Sequence, residues 1–325
     1  MTVDDITSDR RTVVLTGPTR GLGRLTALEL ASLGCELVLL GRPSVAFDTV
    51  VDEARIAGAV GVHRIEVDVA SLASVARAAG RVVDLVDSGV LRSVDAIVGN
   101  AGVQSRDRMQ QSEDGYELTF AVNVIANHLL VERLVPALSA DAHVVIVGSG
   151  THYGTFPTTS LVAAPVWADP ATLARPGEAL PSARPASSAK AGQCAYSTSK
   201  LAVNYLVHAA QREFVGGIRF NVFDPGMMPG TGLARDLPRF KRWVWNRVLP
   251  TLVPVIPGAS QVSESARLLA AFAVGHSHPQ ARGAYIEIDH LADPSPASFD
   301  RQREDDLRRF CEDVWAAMQL PHHQG

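Results

Sequence analysis

Hydrophobic positions along the chain fall into two alternating kinds of stretch. Short β-branched runs at 12–16, 36–40, 62–67, 94–98, 143–147, 218–223 and 284–288 predict seven strands. Between them, segments of helical length at 22–33, 44–57, 72–86, 116–138, 196–214 and 262–274 carry amphipathic or apolar helical patterns. Regular alternation of this kind calls for βαβ crossovers and a parallel sheet. The strands read as nearly continuous apolar runs, so helices are expected on both faces. The predicted architecture is α/β: one domain over 11–325, a doubly wound parallel seven-stranded sheet with helices on both faces, behind a flexible tail at 1–10.

Three stretches depart from the even spacing. Residues 150–195 hold prolines at 157, 165, 170, 176, 181 and 185 without sustained periodicity, and form an insertion far longer than an ordinary connection. It is either a lid or a disordered segment. Residues 226–258 form a second long loop, whose most apolar part, 243–257, is broken by Pro250, Pro254 and Pro257 and carries Asn246 and Arg247. No transmembrane helix is expected there. Finally, Leu307, Phe310, Val314 and Met318 recur at helical spacing, predicting an amphipathic helix over 300–320 docked on the body.

Composition narrows the partners. A net charge of −4 gives no broad positive field for a nucleic acid. Cys35, Cys194 and Cys311 are odd in number and lack CxxC or CxxH spacing, so neither a disulfide framework nor a metal site is expected. That pattern and the polar, acidic N-terminus, which does not resemble a signal peptide, lead to the expectation of a cytoplasmic protein. Lysine is scarce: Lys190, Lys200 and Lys241 stand against twenty-seven arginines, a bias that points to a GC-rich bacterial genome.

The run Thr16-Gly17-Pro18-Thr19-Arg20-Gly21-Leu22-Gly23 directly follows the first strand and opens the first helix. Glycines there let the backbone turn tightly and approach a ligand, and the helix N-terminus offers unpaired N–H groups to a pyrophosphate. A Rossmann-type dinucleotide site follows, with G-x-x-x-G-x-G spacing in place of G-x-G-x-x-G. At the end of the second strand, where an acidic residue would bind a ribose 2′-hydroxyl, stands Arg42. With Arg20 as a second cation it favours a 2′-phosphate, hence NADP(H).

Tyr196 and Lys200, four apart on a predicted helix, share one face. An ammonium near a phenol favours the phenolate and lowers its pKa, which would let Tyr196 exchange a proton with a carbonyl or alcohol. Ser149 ends the fifth strand and Asn100-Ala101-Gly102 closes the fourth, both at the carboxyl edge where ligands bind in open α/β sheets. The Ser149 hydroxyl could donate to a developing alkoxide.

Together and in this order, these features resemble the short-chain dehydrogenase/reductase family over roughly residues 11 to 290. The resemblance implies that Tyr196 is the general acid/base, that Lys200 lowers its pKa and binds the nicotinamide ribose, and that Ser149 orients the substrate oxygen. It implies a proton relay through Asn123, adenine contacts from Asp68 and Val69, and a nicotinamide-side turn at Pro225-Gly226. Cofactor contacts are likewise implied for Gly17, Thr19, Arg20, Gly21, Leu22, Gly23, Arg42, Asn100, Ala101, Gly102, Met228 and Thr231. A homodimer or homotetramer is the expected assembly.

Within the family the likeness is to the group of retinol dehydrogenases and protochlorophyllide reductases. Ser149 and Tyr196 lie 47 positions apart, as with the insertion of the latter; Ser149-Gly150-Thr151-His152 resembles the Ser-x-x-His of the former. Two departures stand out. Met227 replaces a cysteine implicated in pigment reduction, and Gly230 occupies the usual threonine position, leaving Thr231 to take that role. Met227, Trp243 and Trp245 would line an adaptable apolar pocket, which suggests a lipophilic or ring-containing substrate. Reversible carbonyl/alcohol hydride transfer is the leading expectation. An NADPH-dependent C=C reductase and a non-catalytic NADPH sensor are the alternatives.

Overall fold

A computed structural model of the chain describes residues 10–155, 162–180, 189–214, 216–228 and 258–319. All but the last residue of the expected N-terminal tail, most of the 226–258 loop with Thr231, Trp243 and Trp245, and part of the 150–195 insertion lie outside these residues.

All seven expected strands form: β1 (Thr12–Thr16), β2 (Glu36–Gly41), β3 (Gly61–Glu66), β4 (Val94–Gly99), β5 (Leu138–Val147), β6 (Arg219–Asp224) and β7 (Tyr285–Glu287). An eighth, β8 (His290–Ala292), pairs antiparallel with β7. Its three residues are half-buried or exposed and carry no apolar signature. The hairpin closes with Ile288 at φ 58, a left-handed conformation that only tertiary context imposes on a β-branched residue. The strand order is β3-β2-β1-β4-β5-β6-β7-β8, so the winding reverses between β1 and β4.

Successive residues of a buried strand serve opposite layers. Val14, Val38, Leu40 and Ile97 pack with α3 (Leu72–Asp87), a composite helix α4 (Leu118–Ala137) and the helix that carries Tyr196. Val13, Leu15, Leu37 and Leu39 pack with α1 (Gly21–Ser32), α2 (Val45–Ala57) and a helix at Val262–Ala273. Helices therefore cover both faces, as the continuous apolar strands require. Among the described residues, α4 is the one helix long and apolar enough to cross a bilayer; 72% of its most apolar window is buried in the fold.

Two boundaries differ from the sequence expectation. β5 begins at Leu138, inside the predicted fourth helix, because Leu138 pairs with Val94 across a register shift that sequence periodicity does not report. The Tyr196 helix begins earlier than expected. Between them, a short α5 (Pro170–Ala174) is capped by Asp169, which accepts from Thr172 N at 2.9 Å; α6 then runs Ala189–Glu213. Ala189, Ala191, Gly192 and Ala195 carry no periodic apolar signal. Gly192 must stay small, since a Cβ there would lie 2.4 Å from Ser105 O. Tyr196 consequently sits well inside a helix.

Residues 162–180 of the insertion pack onto the body. Arg108, 1% exposed, donates through Nη2 to the carbonyls of Thr172, Leu173 and Arg175 at 3.0–3.1 Å. Glu117 N donates to Ala174 O at 2.7 Å. Val262–Ala273 is α7, and α8 (Arg301–Gln319) packs on the body. Leu307 and Val314 are buried, Phe310 sits edge-on to Tyr116, and Cys311 joins the buried face.

Candidate active site

Gly17 and Gly21 hold φ values of 67 and 54, the left-handed region in which a side chain is strained. Gly23 is required for another reason: a Cβ would meet Gly17 O at 2.2 Å and Asn100 Nδ2 at 2.4 Å. The turn is thus folded back on itself at the mouth of α1. Arg20, the residue before α1, makes no side-chain cap, and no acidic residue occupies the first helical turn. The first-turn N–H groups and the positive end of the helix dipole are thereby left for an anion. Space is open beyond Gly21, with no atom within 4 Å of where its Cβ would stand. Thr19 is half-buried in the turn, and Leu22 anchors the helix in the core. These residues fit the diphosphate of a dinucleotide.

Asn100 staples this turn to β4, donating from Nδ2 to Thr16 O at 2.9 Å and Gly17 O at 3.1 Å. Ala101 N adds a bond to Thr16 Oγ1 at 2.9 Å. Gly102 lies against Asn123, whose Oδ1 would be 3.3 Å from a Cβ there. Asp68 Oδ1 accepts from Ala70 N at 2.9 Å and Val69 packs against the core layer, both at the β3 end of the same edge. Arg42 is exposed just past β2, and no partner of its guanidinium is found among the described residues.

Ser149, Tyr196 and Lys200 come together beside the end of β5. The Ser149 side chain stands near enough to Tyr196 to act on the charge of its phenol. Lys200 Nζ donates to Val147 O at 2.8 Å and lies 5.6 Å from the centre of the Tyr196 ring. The three hydroxyls between Tyr196 and Lys200 fix the rotation of α6. Ser197 Oγ donates to Ala163 O at 2.7 Å, and Thr198 Oγ1 bonds Val166 N and O. Ser199 Oγ donates to Tyr196 O at 2.7 Å and accepts from Asn123 Nδ2 at 2.9 Å. Asn123 sits in a π-helical turn, Ala121–Ile125, a distortion common at functional sites. Its side chain also clasps Val103, taking the N–H at 2.8 Å and donating to the C=O at 2.9 Å.

The electrostatics correct one expectation. Tyr196 is pushed up to about 12, chiefly by burial, with the Ser149 side chain acting in the opposite direction. Lys200 is pulled down to about 8 by burial. Desolvation of the phenol outweighs any help from an ammonium that sits over the ring face.

Past β6, Gly226 takes φ 74, and a Cβ there would meet Gly258 O at 2.9 Å. Pro225 O accepts from Ser260 Oγ at 2.5 Å and Ser265 Oγ at 2.8 Å. Met227 N donates to Gly258 O at 2.8 Å and Met228 packs on the apolar layer. The sequence reading missed Asp224 and Tyr285, which meet here: Tyr285 OH donates to Asp224 Oδ2 at 2.5 Å. An acid closing the apolar strand at 218–223 was the available signal. His152, buried, accepts from Ser295 N at Nε2, so its Nδ1 carries the proton and donates to Ser149 O at 2.9 Å.

The fold and the glycine turn have the layout of a dinucleotide-binding α/β domain. Residues 11–164 match the family model of the short chain dehydrogenases. A probable oxidoreductase of Streptomyces lividans is 30% identical over 218 residues, 66% of this chain and 64% of that one. Mouse (Mus musculus) polyprenol dehydrogenase is 38% identical over 150 residues, 44% and 43% of the two chains. Human (Homo sapiens) retinol dehydrogenase 13 is 33% identical over 135 residues, 41% and 38%. The matched region thus spans less than two thirds of the length of each of these relatives. Among solved structures, the Pseudomonas aeruginosa RhlG/NADP active-site complex aligns with a TM-score of 0.61 at 21% identity, over 86% of this chain and 94% of that one. A metagenomic blue fluorescent protein in complex with NADPH aligns at 0.58 and 21%, over 86% and 96%. Over residues 11–164 the chain is similar to the short chain dehydrogenases, and its relatives include proteins named polyprenol dehydrogenase and retinol dehydrogenase 13.

Proposed function

We propose that the protein is an NADP(H)-dependent oxidoreductase acting reversibly on the carbonyl or alcohol of a lipophilic or ring-containing small molecule. The observation that carries this reading is the Lys200 ammonium over the Tyr196 ring and tethered at Val147 O, two residues before Ser149. NADPH would lie with its diphosphate on the Gly17–Gly23 turn and its 2′-phosphate toward Arg42 and Arg20. When bound it supplies a hydride to the substrate carbon.

The chain's own residues handle the oxygen. Ser149 donates a hydrogen bond to the substrate oxygen, and Tyr196 gives it a proton in reduction or accepts one in oxidation. The phenolate left after reduction is balanced by the Lys200 ammonium. Asn123 ties α6 to the Asn100–Gly102 turn, so proton donor and cofactor floor keep one geometry; any relay through it would pass its main-chain carbonyl, to which Asn127 Nδ2 donates at 3.0 Å.

Two kinds of support favour the lipophilic substrate: the half-buried Met227 beside the Pro225–Gly226 turn, and relatives named for a polyprenol and a retinol. The three buried free cysteines are compatible with a reducing cytoplasm. The test is NADPH consumption across retinoid-like aldehydes, steroids, polyketides and aliphatic ketones, with Tyr196→Phe alongside. Turnover on large apolar carbonyls that falls about a thousandfold in the variant is expected. Unchanged turnover in Tyr196→Phe would overturn the assignment, and deuterium from labelled NADPH found on an alkene carbon would move the reaction to C=C reduction.

A further inference from the structure

A buried acidic side chain stands beside Tyr196 and Lys200, and the proposed proton transfer does not use it. Asp224, 2% exposed, closes β6 next to the end of β5, where Val147 pairs with Phe223 and Gly148 N donates to Phe223 O at 2.8 Å. Its carboxylate is held from two sides, by Tyr285 OH on Oδ2 at 2.5 Å and by Gly226 N on Oδ1 at 2.9 Å. Oδ2 also lies 3.4 Å from where a Cβ would project at Gly150, so the carboxylate faces the main chain immediately after Ser149. Lys200 Nζ is anchored on the same strand end, at Val147 O. The acid and the ammonium are thus brought to adjoining strand ends in a buried setting, where attraction between opposite charges is weakly screened.

We propose that Asp224 is the buried counter-ion of Lys200, a positioning residue that keeps the ammonium charged in the site. The inference rests on the Ser149–Tyr196–Lys200 reading above. Asp224 acts on Lys200 against the effect of burial, and it pushes Tyr196 upward as well. Ionisable groups face Asp224 from every side. From the turn after β5 come His152 and Tyr153, from α6 Tyr196 and Lys200, and from β7 Tyr285 and Glu287. Asp293 and His290 stand behind Tyr153 and Glu287. Burial holds His152 neutral and Tyr285 protonated, which leaves Lys200 as the cation of the group.

Lysine labelled with carbon-13 at Cε reads the protonation state directly and needs no substrate. The chain's three lysines give three signals, and Lys200→Met assigns the one in question. Asp224→Asn removes the charge but leaves an oxygen for the Gly226 N–H. In it, the Lys200 titration midpoint should fall by about one pH unit. Tyr285→Phe keeps the carboxylate and should leave the midpoint close to wild type. An unmoved midpoint in Asp224→Asn, or an equal fall in Tyr285→Phe, would overturn the proposal. If Asp224→Asn no longer enhances NADPH fluorescence, Asp224→Glu replaces it: the retained charge must hold the midpoint, and a fall there also overturns the idea. Because these titrations are independent of turnover, they fail separately from the Tyr196→Phe test.

Discussion

The Lys200 ammonium lies over the face of the Tyr196 ring, 5.6 Å from its centre, while its Nζ is tethered to Val147 O. Burial of both groups makes Lys200, more than Tyr196, the group whose charge changes near physiological pH.

The pH dependence follows from the two shifts. Lys200, pulled down to about 8 by burial, carries its proton below that value and loses it as pH rises through it. Tyr196, pushed up to about 12, remains a proton donor throughout. Reduction needs both protons, so kcat/KM for NADPH-driven reduction should be level near neutrality and decline above about pH 8. A rate that climbs across that range would contradict the assignment.

Cofactor choice is expected to rest on Arg42. Replacing it by Asp removes a guanidinium partner for a 2′-phosphate and offers a ribose acceptor instead. Fluorescence titration should find NADPH weakened by at least about tenfold, with NADH unchanged or tighter. Equal losses for both cofactors would show that Arg42 does not read the phosphate.

Gly23→Ala and Gly21→Ala separate crowding from backbone strain. At Gly23 the new methyl meets Gly17 O and Asn100 Nδ2 well inside contact distance, so the turn must open and NADPH affinity should fall by more than about tenfold. At Gly21 the methyl meets nothing, and the cost is the positive φ alone, about 1–2 kcal/mol of stability. Calorimetry and NADPH titration of the two variants test the contrast; a harmless Gly23→Ala would refute the packing argument.

Arg108→Ala takes one donor group away from three carbonyls at once, those of Thr172, Leu173 and Arg175. A loss of about 3 kcal/mol is expected in urea unfolding. Limited proteolysis should then cut within 162–180 first, and a variant as stable as wild type would mean the strap is held by other contacts.

Much of the molecule was legible in its one-dimensional pattern. Strand runs such as 12–16 and 94–98, the Gly17–Gly23 turn after β1, and Tyr196 four residues before Lys200 are local signals, written by side-chain period and backbone need. What eluded that reading is non-local. Asp224 meets Tyr285 61 positions away, Asn123 meets Ser199 across 76, and Arg108 reaches the carbonyls of a segment more than sixty residues on. β8 is written in no apolar run and exists because β7 offers it an edge. The opposed shifts of Tyr196 and Lys200 belong to the same category. Sequence placed a phenol and an ammonium on one helix face, but how strongly each resists its charge depends on the water that packing removes, and only the folded chain sets that.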